Sequence, residues 1–295
     1  MKIVYSYWDT GNGLKKPSNW FNAQFMLSSM VMSVLNSYKH YGRVEMVTDS
    51  TSKVWIEKLG LPFESIKTDL DELKKYDKGS WALGKIKAYS IQEEPFLHVD
   101  LDVVLFEPLS QKLLNNDLYV QNFEPFTINA YHKTYMPYIE LLENYGTDLP
   151  IGFSNKKHAV NLGIYGCNNL EFNKLFCDSV FAFMDKNEKK FKSLVPLHKL
   201  CVVWEQYFWA VIADKLKMSI GTIIDPNYKL ASETGYFHLL IDKYKEEIAI
   251  NFNEHIKTIY PDYYKSIDEL LSFEKNNKPI NSNQKNISYF RNFSL

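Results

Sequence analysis

Residues 95–109 run Pro-Phe-Leu-His-Val-Asp-Leu-Asp-Val-Val-Leu-Phe-Glu-Pro-Leu, a strand with two aspartates at the end of an apolar run. In an extended chain residues two apart face the same side, so the spacing predicts that Asp100 and Asp102 present their carboxylates together. Two carboxylates side by side repel, and a hard divalent cation, which prefers oxygen ligands, relieves that cost. The alternative is a strand end that turns both groups to solvent. The flanks Phe96-Leu97 and Val103-Val104-Leu105 read as buried strand. They put the pair where an open α/β sheet binds ligands, at the carboxyl ends of its strands.

The rest of the chain supports such a sheet. Short apolar runs at 2–7, 43–48, 65–67, 118–122, 160–165 and 219–224 read as strands. Helical spacing marks 21–38 (with Ser18-Asn19 as capping groups), 53–59, 81–92, 170–184 and 200–216. The pattern predicts an α/β fold with a mixed central sheet flanked by helices. No linker or repeat divides it, so residues 1–274 are expected to form one domain. Residues 275–295, rich in Asn, Lys and Ser, form a polar tail whose two sequons, at Asn286 and Asn292, are not expected to be glycosylated.

Charge excludes some partners. With 34 Lys+Arg against 35 Asp+Glu the net charge is -1, so nothing points to nucleic acid, and any anion must be held locally. Cys167, Cys177 and Cys201 are too few and too scattered for a disulfide framework, which suggests a reducing compartment. No stretch has the length and apolarity of a signal peptide or membrane span. The expected location is therefore cytoplasmic, with peripheral contact at the inner membrane face as an option.

The run Phe96-Leu-His-Val-Asp-Leu-Asp-Val-Val-Leu105 resembles the DxD strand of GT-A-type glycosyltransferases. Its surroundings resemble the retaining, glycogenin-like and bacterial lipopolysaccharide galactosyltransferase branch (family 8-like). That branch carries a basic residue on the preceding helix, which Lys85-Ile-Lys-Ala-Tyr-Ser-Ile91 matches through Lys85, with Lys87 in reserve. Asn161-Leu162-Gly163 resembles its Asn-x-Gly, and Glu205-Gln206 stands where the branch has an Asp-Gln pair. Gly235-Tyr-Phe-His238-Leu-Leu-Ile-Asp-Lys243 is similar to its H-x-x-G-x-x-K segment, without the central Gly and one residue shorter. The resemblance spans roughly residues 1–245.

It implies a GT-A (Rossmann-like) fold and a hexosyltransferase that binds Mn²⁺ or Mg²⁺ through Asp100, Asp102 and His238. Lys85, Glu205 and Gln206 would be catalytic. Tyr5, Tyr7, Trp8, Asp9 and Asp49 would meet the base and ribose of a UDP-sugar donor; Lys85, Asp100, Asn161, Gly163 and Lys243 would hold its diphosphate and sugar. The acceptor would be a glycan or lipid-linked glycan in polysaccharide biosynthesis. Residues 124–153 and 186–199 would be free to shape its site, with Lys186, Lys189, Lys190 and Lys192 facing headgroups or solvent.

Each residue also has a purely structural reading: Lys85 as a solvated helix lysine, Glu205 as half of a salt bridge, His238 as a core histidine. Two other functions fit parts of the pattern. A haloacid-dehalogenase-type phosphatase would need a later Gly-Asp or Asp-Asp pair, and neither dipeptide occurs. A catalytically silent nucleotide-sugar-binding protein would keep the fold without the reaction.

Overall fold

The computed structural model describes residues 1–9, 13–15, 17, 20–145, 157–224 and 235–276. Strands β1 (Lys2–Tyr7), β2 (Val44–Thr48), β3 (Ser65–Lys67), β4 (Phe96–Val99), β6 (Leu118–Pro125), β7 (His158–Cys167) and β8 (Ile220–Thr222) form a seven-stranded sheet ordered β3-β2-β1-β4-β7-β6-β8. Only β7 runs against its neighbours; β3, β2, β1 and β4 are mutually parallel, as are β6 and β8. This is the expected mixed sheet. Strand order reverses between β1 and β4, and the carboxyl ends of those strands open a crevice there.

Helices cover both faces. α1 (Ala23–Tyr41) starts at Asn22, whose Oδ1 accepts the Phe25 N–H at 2.8 Å, and stops at Gly42 in the left-handed conformation, φ 69°. The caps expected at Ser18-Asn19 fall outside the described residues. α2 (Ser50–Lys58) and α3 (Leu83–Ser90) follow β2 and β3, and the short α4 (Gln111–Leu114) precedes β6. On the other half lie α5 (Asn129–Asn144), α6 (Leu170–Lys192), α7 (Leu197–Val202) and α8 (Phe208–Leu216). The helix expected over 200–216 is thus two helices, joined by a π turn, Val203–Tyr207, in which the Phe208 N–H bonds to the Val203 carbonyl. α9 (Glu246–Ile259) and α10 (Pro261–Asn276) pack on α1. α10 takes in the first two residues of the expected tail; the remainder of the tail lies outside the described residues. Among the described residues, no helix is long and apolar enough to cross a membrane.

The sheet separates two cores. One holds Phe96, Tyr165, Phe172 and Trp209; the other holds Tyr5, Met26, Val31, Val99 and Val104. The strand expected to run unbroken through 96–105 does not. After β4 the chain turns at Asp100-Leu101-Asp102, where the Val103 N–H bonds to the Asp100 carbonyl at 3.0 Å. It re-emerges as β5 (Val103–Leu105), which pairs antiparallel with β9 (Tyr236–His238) in a separate two-stranded sheet. Alternation in a strand therefore does not explain how the two aspartates meet.

Candidate active site and metal centre

The Asp100–Asp102 turn is tied to its surroundings through the backbone. Asp100 N–H donates to the Gly163 carbonyl and Leu239 N–H to that of Asp102, both at 2.9 Å. Pairing of Val103 with His238 then carries the imidazole to the turn. Ligand atoms of Asp100, Asp102 and His238 all lie within 4.8 Å of one another.

Hydrogen bonds fix the histidine's tautomer. Gln121 Oε1 accepts from Tyr236 Oη at 2.6 Å and from His238 Nδ1 at 2.7 Å, so Nδ1 carries the proton. Nε2 faces Asp102 Oδ1 at 3.3 Å, a separation that a proton on Nε2 or a cation bridges favourably. A set of two carboxylates and one imidazole, its far nitrogen anchored, fits a divalent ion of the Mn²⁺ or Mg²⁺ class. Gln121 itself reaches the site because strand β6 shifts register between Val120 and Asn122, a bulge that re-aims the side chain.

The two carboxyls are driven apart in acidity. Burial raises the pKa of Asp100, an effect opposed by Lys85 and reinforced by the charge of Asp102. Burial acts the same way on Asp102, but Lys243 and His238 outweigh it and hold the group far below the usual carboxylate range. Lys243 Nζ donates to Asp102 Oδ2 at 2.7 Å. Lys85 Nζ donates to Asp100 Oδ2 at 3.0 Å and to the Leu162 carbonyl at 3.1 Å, and also pairs with Glu205. Burial would deprotonate Lys85, but Asp100 and Glu205 hold its acidity well below that of a free lysine. Glu205 is fully buried, and burial, partly offset by Lys85, pushes it up to about 7. Lys87, the reserve candidate, points away and pairs with Glu72 at 2.7 Å.

Asn161 and Gln206 are joined by a chain the sequence did not announce. Asn161 Oδ1 accepts the Gly163 N–H at 2.9 Å and its Nδ2 donates to Glu124 Oε1 at 3.1 Å. Tyr135 Oη contacts both Glu124 Oε2 and the Gln206 amide. Gly163 makes room for the His238 ring and the Gln121 amide. A Cβ there would lie 2.6 Å from His238 Cε1 and 2.9 Å from Gln121 Oε1. Gly163→Ala is therefore expected to displace the imidazole and weaken Mn²⁺ binding by about 10- to 100-fold with the fold retained. Titration of the variant with Mn²⁺ alongside circular dichroism checks this.

The nucleotide-binding candidates divide. Tyr7 and Trp8 line a cleft of about 170 Å³ together with Ser6, Trp20, Trp81, Lys85, Asp100, Asp102 and Lys243. Tyr5 does not reach it: α1 packs over its ring and draws it into the core, where Oη bonds Ser33 and Ser37, both at 2.8 Å. Nor is Asp49 free to bind a ligand. Its carboxylate caps α2 through Ser52 N–H at 2.9 Å and accepts the Asp9 N–H at 2.8 Å. Asp9 in turn accepts the Gly13 N–H at 2.9 Å beside the cleft. Ser6, Trp20, Trp81, Gln121, Glu124 and Tyr135 were not singled out by sequence reasoning. Only Gln121 and Glu124 left a signal, as polar residues interrupting an apolar strand. A larger cavity of about 940 Å³ opens at the amino ends of β1, β2 and β3, where Lys2 and Arg43 pair with Glu94 and Lys67 pairs with Glu45.

A family model described as "Family of unknown function (DUF6734)" matches residues 1–270. A sequence comparison with curated proteins finds no match. Solved structures of similar fold include the galactosyltransferase LgtC in complex with donor and acceptor sugar analogues, 13% identical over 75% of this chain and 73% of that one, TM-score 0.39. Mouse xyloside xylosyltransferase 1 is 12% identical over 83% and 93%, TM-score 0.37. The glycosyltransferase GlyE of Streptococcus pneumoniae TIGR4 is 9% identical over 92% and 63%, TM-score 0.42.

Proposed function

The chain belongs to the DUF6734 family, whose description assigns no reaction, and we propose from its site that it is a metal-dependent glycosyltransferase using a nucleotide-diphosphate sugar, a UDP-hexose in the first instance. The observation that carries this reading is the meeting of Asp100, Asp102 and His238 with two lysines at the carboxyl ends of β1 and β4. Such a cluster suits a diphosphate: the carboxylates and imidazole hold a cation, and the ammonium groups meet phosphate charge. A bound Mn²⁺ or Mg²⁺ would act as Lewis acid toward the leaving diphosphate.

The chain's own groups supply the remainder. Tyr7 and Trp8 offer faces for the base, with Asp9 near the ribose. Lys85, clamped from below, fixes the Asp100 carboxylate and brings positive charge to the departing phosphate. Asn161 and Gln206, held through Glu124 and Tyr135, face the sugar hydroxyls. Glu205 is bound to Lys85, and Glu124 to Tyr135 and Asn161, so neither is a free base for the acceptor. That arrangement favours deprotonation by the leaving diphosphate and transfer with retention of configuration. The 3₁₀ turn Leu240–Tyr244, which carries Lys243, exposes Ile241 and Tyr244, and Phe21 is bonded to its backbone. This apolar rim suits the ring faces of a glycan or a lipid-linked acceptor.

The test is a screen of UDP-, GDP- and dTDP-sugars with Mn²⁺ or EDTA. Metal-dependent release of UDP is expected, and NMR of the product with an identified acceptor should show the donor's anomeric configuration. Failure of every nucleotide sugar to bind would overturn the proposal. Binding without hydrolysis or transfer would leave a nucleotide-sugar-binding protein instead.

A further inference from the structure

Independently of the transferase reading, we propose that the cavity at the amino ends of the strands, remote from the metal cluster, binds a linear organic polycation of the polyamine class. Five carboxylates, Glu45, Glu64, Asp69, Glu93 and Glu94, line it against three cations, Lys2, Arg43 and Lys67. Two negative charges are left over. All three cations are already engaged. Arg43 grips Glu94 through both terminal nitrogens, at 2.9 and 3.1 Å, and Lys2 lies 3.4 Å from the same carboxylate. Lys67 reaches Glu45 Oε2 at 2.9 Å. Glu64 meets only the edge of Arg43, at 3.4 Å, and Asp69 and Glu93 have no ion-pair partner among the described residues. An anionic ligand would find no uncommitted cation here; a cationic one finds uncommitted carboxylates.

The floor of the cavity holds its charge in a buried setting. The side chains of Glu45 and Lys2 are 7% and 9% exposed. Burial would raise the pKa of Glu45, but Lys67, Gln92 and Lys2 hold it below the usual carboxylate range, so it stays ionised. Gln92, itself buried, donates Nε2 to Glu45 Oε1 at 3.2 Å and to the Ala88 carbonyl at 2.8 Å. That leaves its Oε1, beside the same wall, without a donor. A protonated amine brings donors only and no acceptor that would need one in turn.

The unpaired carboxylates are also spread out. Glu93 precedes β4 and Asp69 follows β3, and with β1 and β2 lying between those strands the span is three strand spacings, about 14 Å. Among the described residues these carboxylates do not converge as Asp100, Asp102 and His238 do, so a single metal ion does not match them. Ammonium groups joined by methylenes do. Their charges space themselves along the cavity, and the methylenes lie against Ile91, the apolar residue of its lining.

Calorimetric titration of spermine into the full chain at low salt tests this without any assay of activity. One spermine per chain should bind, and more weakly as salt is added. Asp69→Asn and Glu93→Gln should each weaken binding about threefold and together about tenfold, with Tm unchanged, because neither carboxylate has a partner to lose. Glu64→Gln replaces either variant if it misfolds. Asp102→Asn should bind spermine as wild type does. Absence of saturable binding, or equal affinity of wild type and the folded double variant, overturns the inference. So does loss of binding in Asp102→Asn, which would put the amine in the metal cleft. Tighter binding of tetralysine than of spermine would overturn it in favour of a basic chain segment. None of these results bears on the transferase proposal, which is decided by nucleotide-sugar binding.

Discussion

Asp102→Ala is expected to abolish Mn²⁺-dependent nucleotide binding and to cut sugar transfer by about 10³-fold, while the protein remains folded. The side chain is buried, yet its removal strands little: Lys243 can turn to solvent, and His238 keeps its bond to Gln121. Backbone ties at the turn run through the Asp102 carbonyl and so survive the change. Asp102→Asn separates charge from shape, since it keeps the volume and one acceptor oxygen. It should lose nearly as much Mn²⁺ affinity as the alanine variant. Calorimetry of UDP with Mn²⁺ or EDTA checks both, and unchanged metal dependence in either variant would remove Asp102 from the ligand set.

Lys85→Met should produce the largest loss of stability, about 3–5 kcal/mol, because it leaves the buried Glu205 and half-buried Asp100 carboxylates without their cation. For a chain of this size that corresponds to a fall in Tm on the order of 10 °C. The loss depends on pH with a definite sign. Glu205 already titrates near 7 with Lys85 beside it, well above an unfolded glutamate. Without the ammonium its folded-state value rises further, so the variant keeps most stability where Glu205 is protonated and loses it as pH climbs through neutrality. Glu205→Gln in the same background should restore part of the Tm and flatten that dependence. Thermal melts of the single and double variants decide it, and additive losses would show that the two side chains do not share a buried charge pair.

Much of the sheet and the Asp100–Asp102 pair could be read from local pattern, for identifiable reasons. β1, β2 and the 96–99 stretch are short, continuous and apolar, and buried parallel strands have that appearance. Asp100 and Asp102 stood out because they interrupt an apolar run, whereas Lys85 and His238 were marked by the resemblance to the glycosyltransferase branch. What was not legible depends on contacts distant in sequence. Tyr5 and Tyr7 have the same pattern, and only the packing of α1 decides that one serves the core and the other the cleft. Asp49 looked like a ligand at a strand end, but the same position is the N-cap of α2. The break between β4 and β5 was hidden because both halves are apolar; the partner that draws β5 away, β9, lies far along the chain. Glu124 and Tyr135 fall in a segment expected to shape the acceptor site, and their link to Gln206 exists only once α5 packs against the π turn.

The π turn at Val203–Tyr207 constrains how this chain can vary in length. Its hydrogen bonds span one residue more than those of an α-helix, so deleting any one of its five residues would let α7 and α8 fuse into a regular helix. Local helix energetics would favour that shorter version. It would also rotate everything on one side of the deletion by about 100° relative to the other. Glu205 and Gln206 could then no longer meet Lys85 and Tyr135 while Trp209 kept its seat against Tyr165 and Phe172. Descendants of this sequence are thus free to substitute within the segment but not to shorten it, and gaps should collect instead in the surface loops away from the sheet's carboxyl ends.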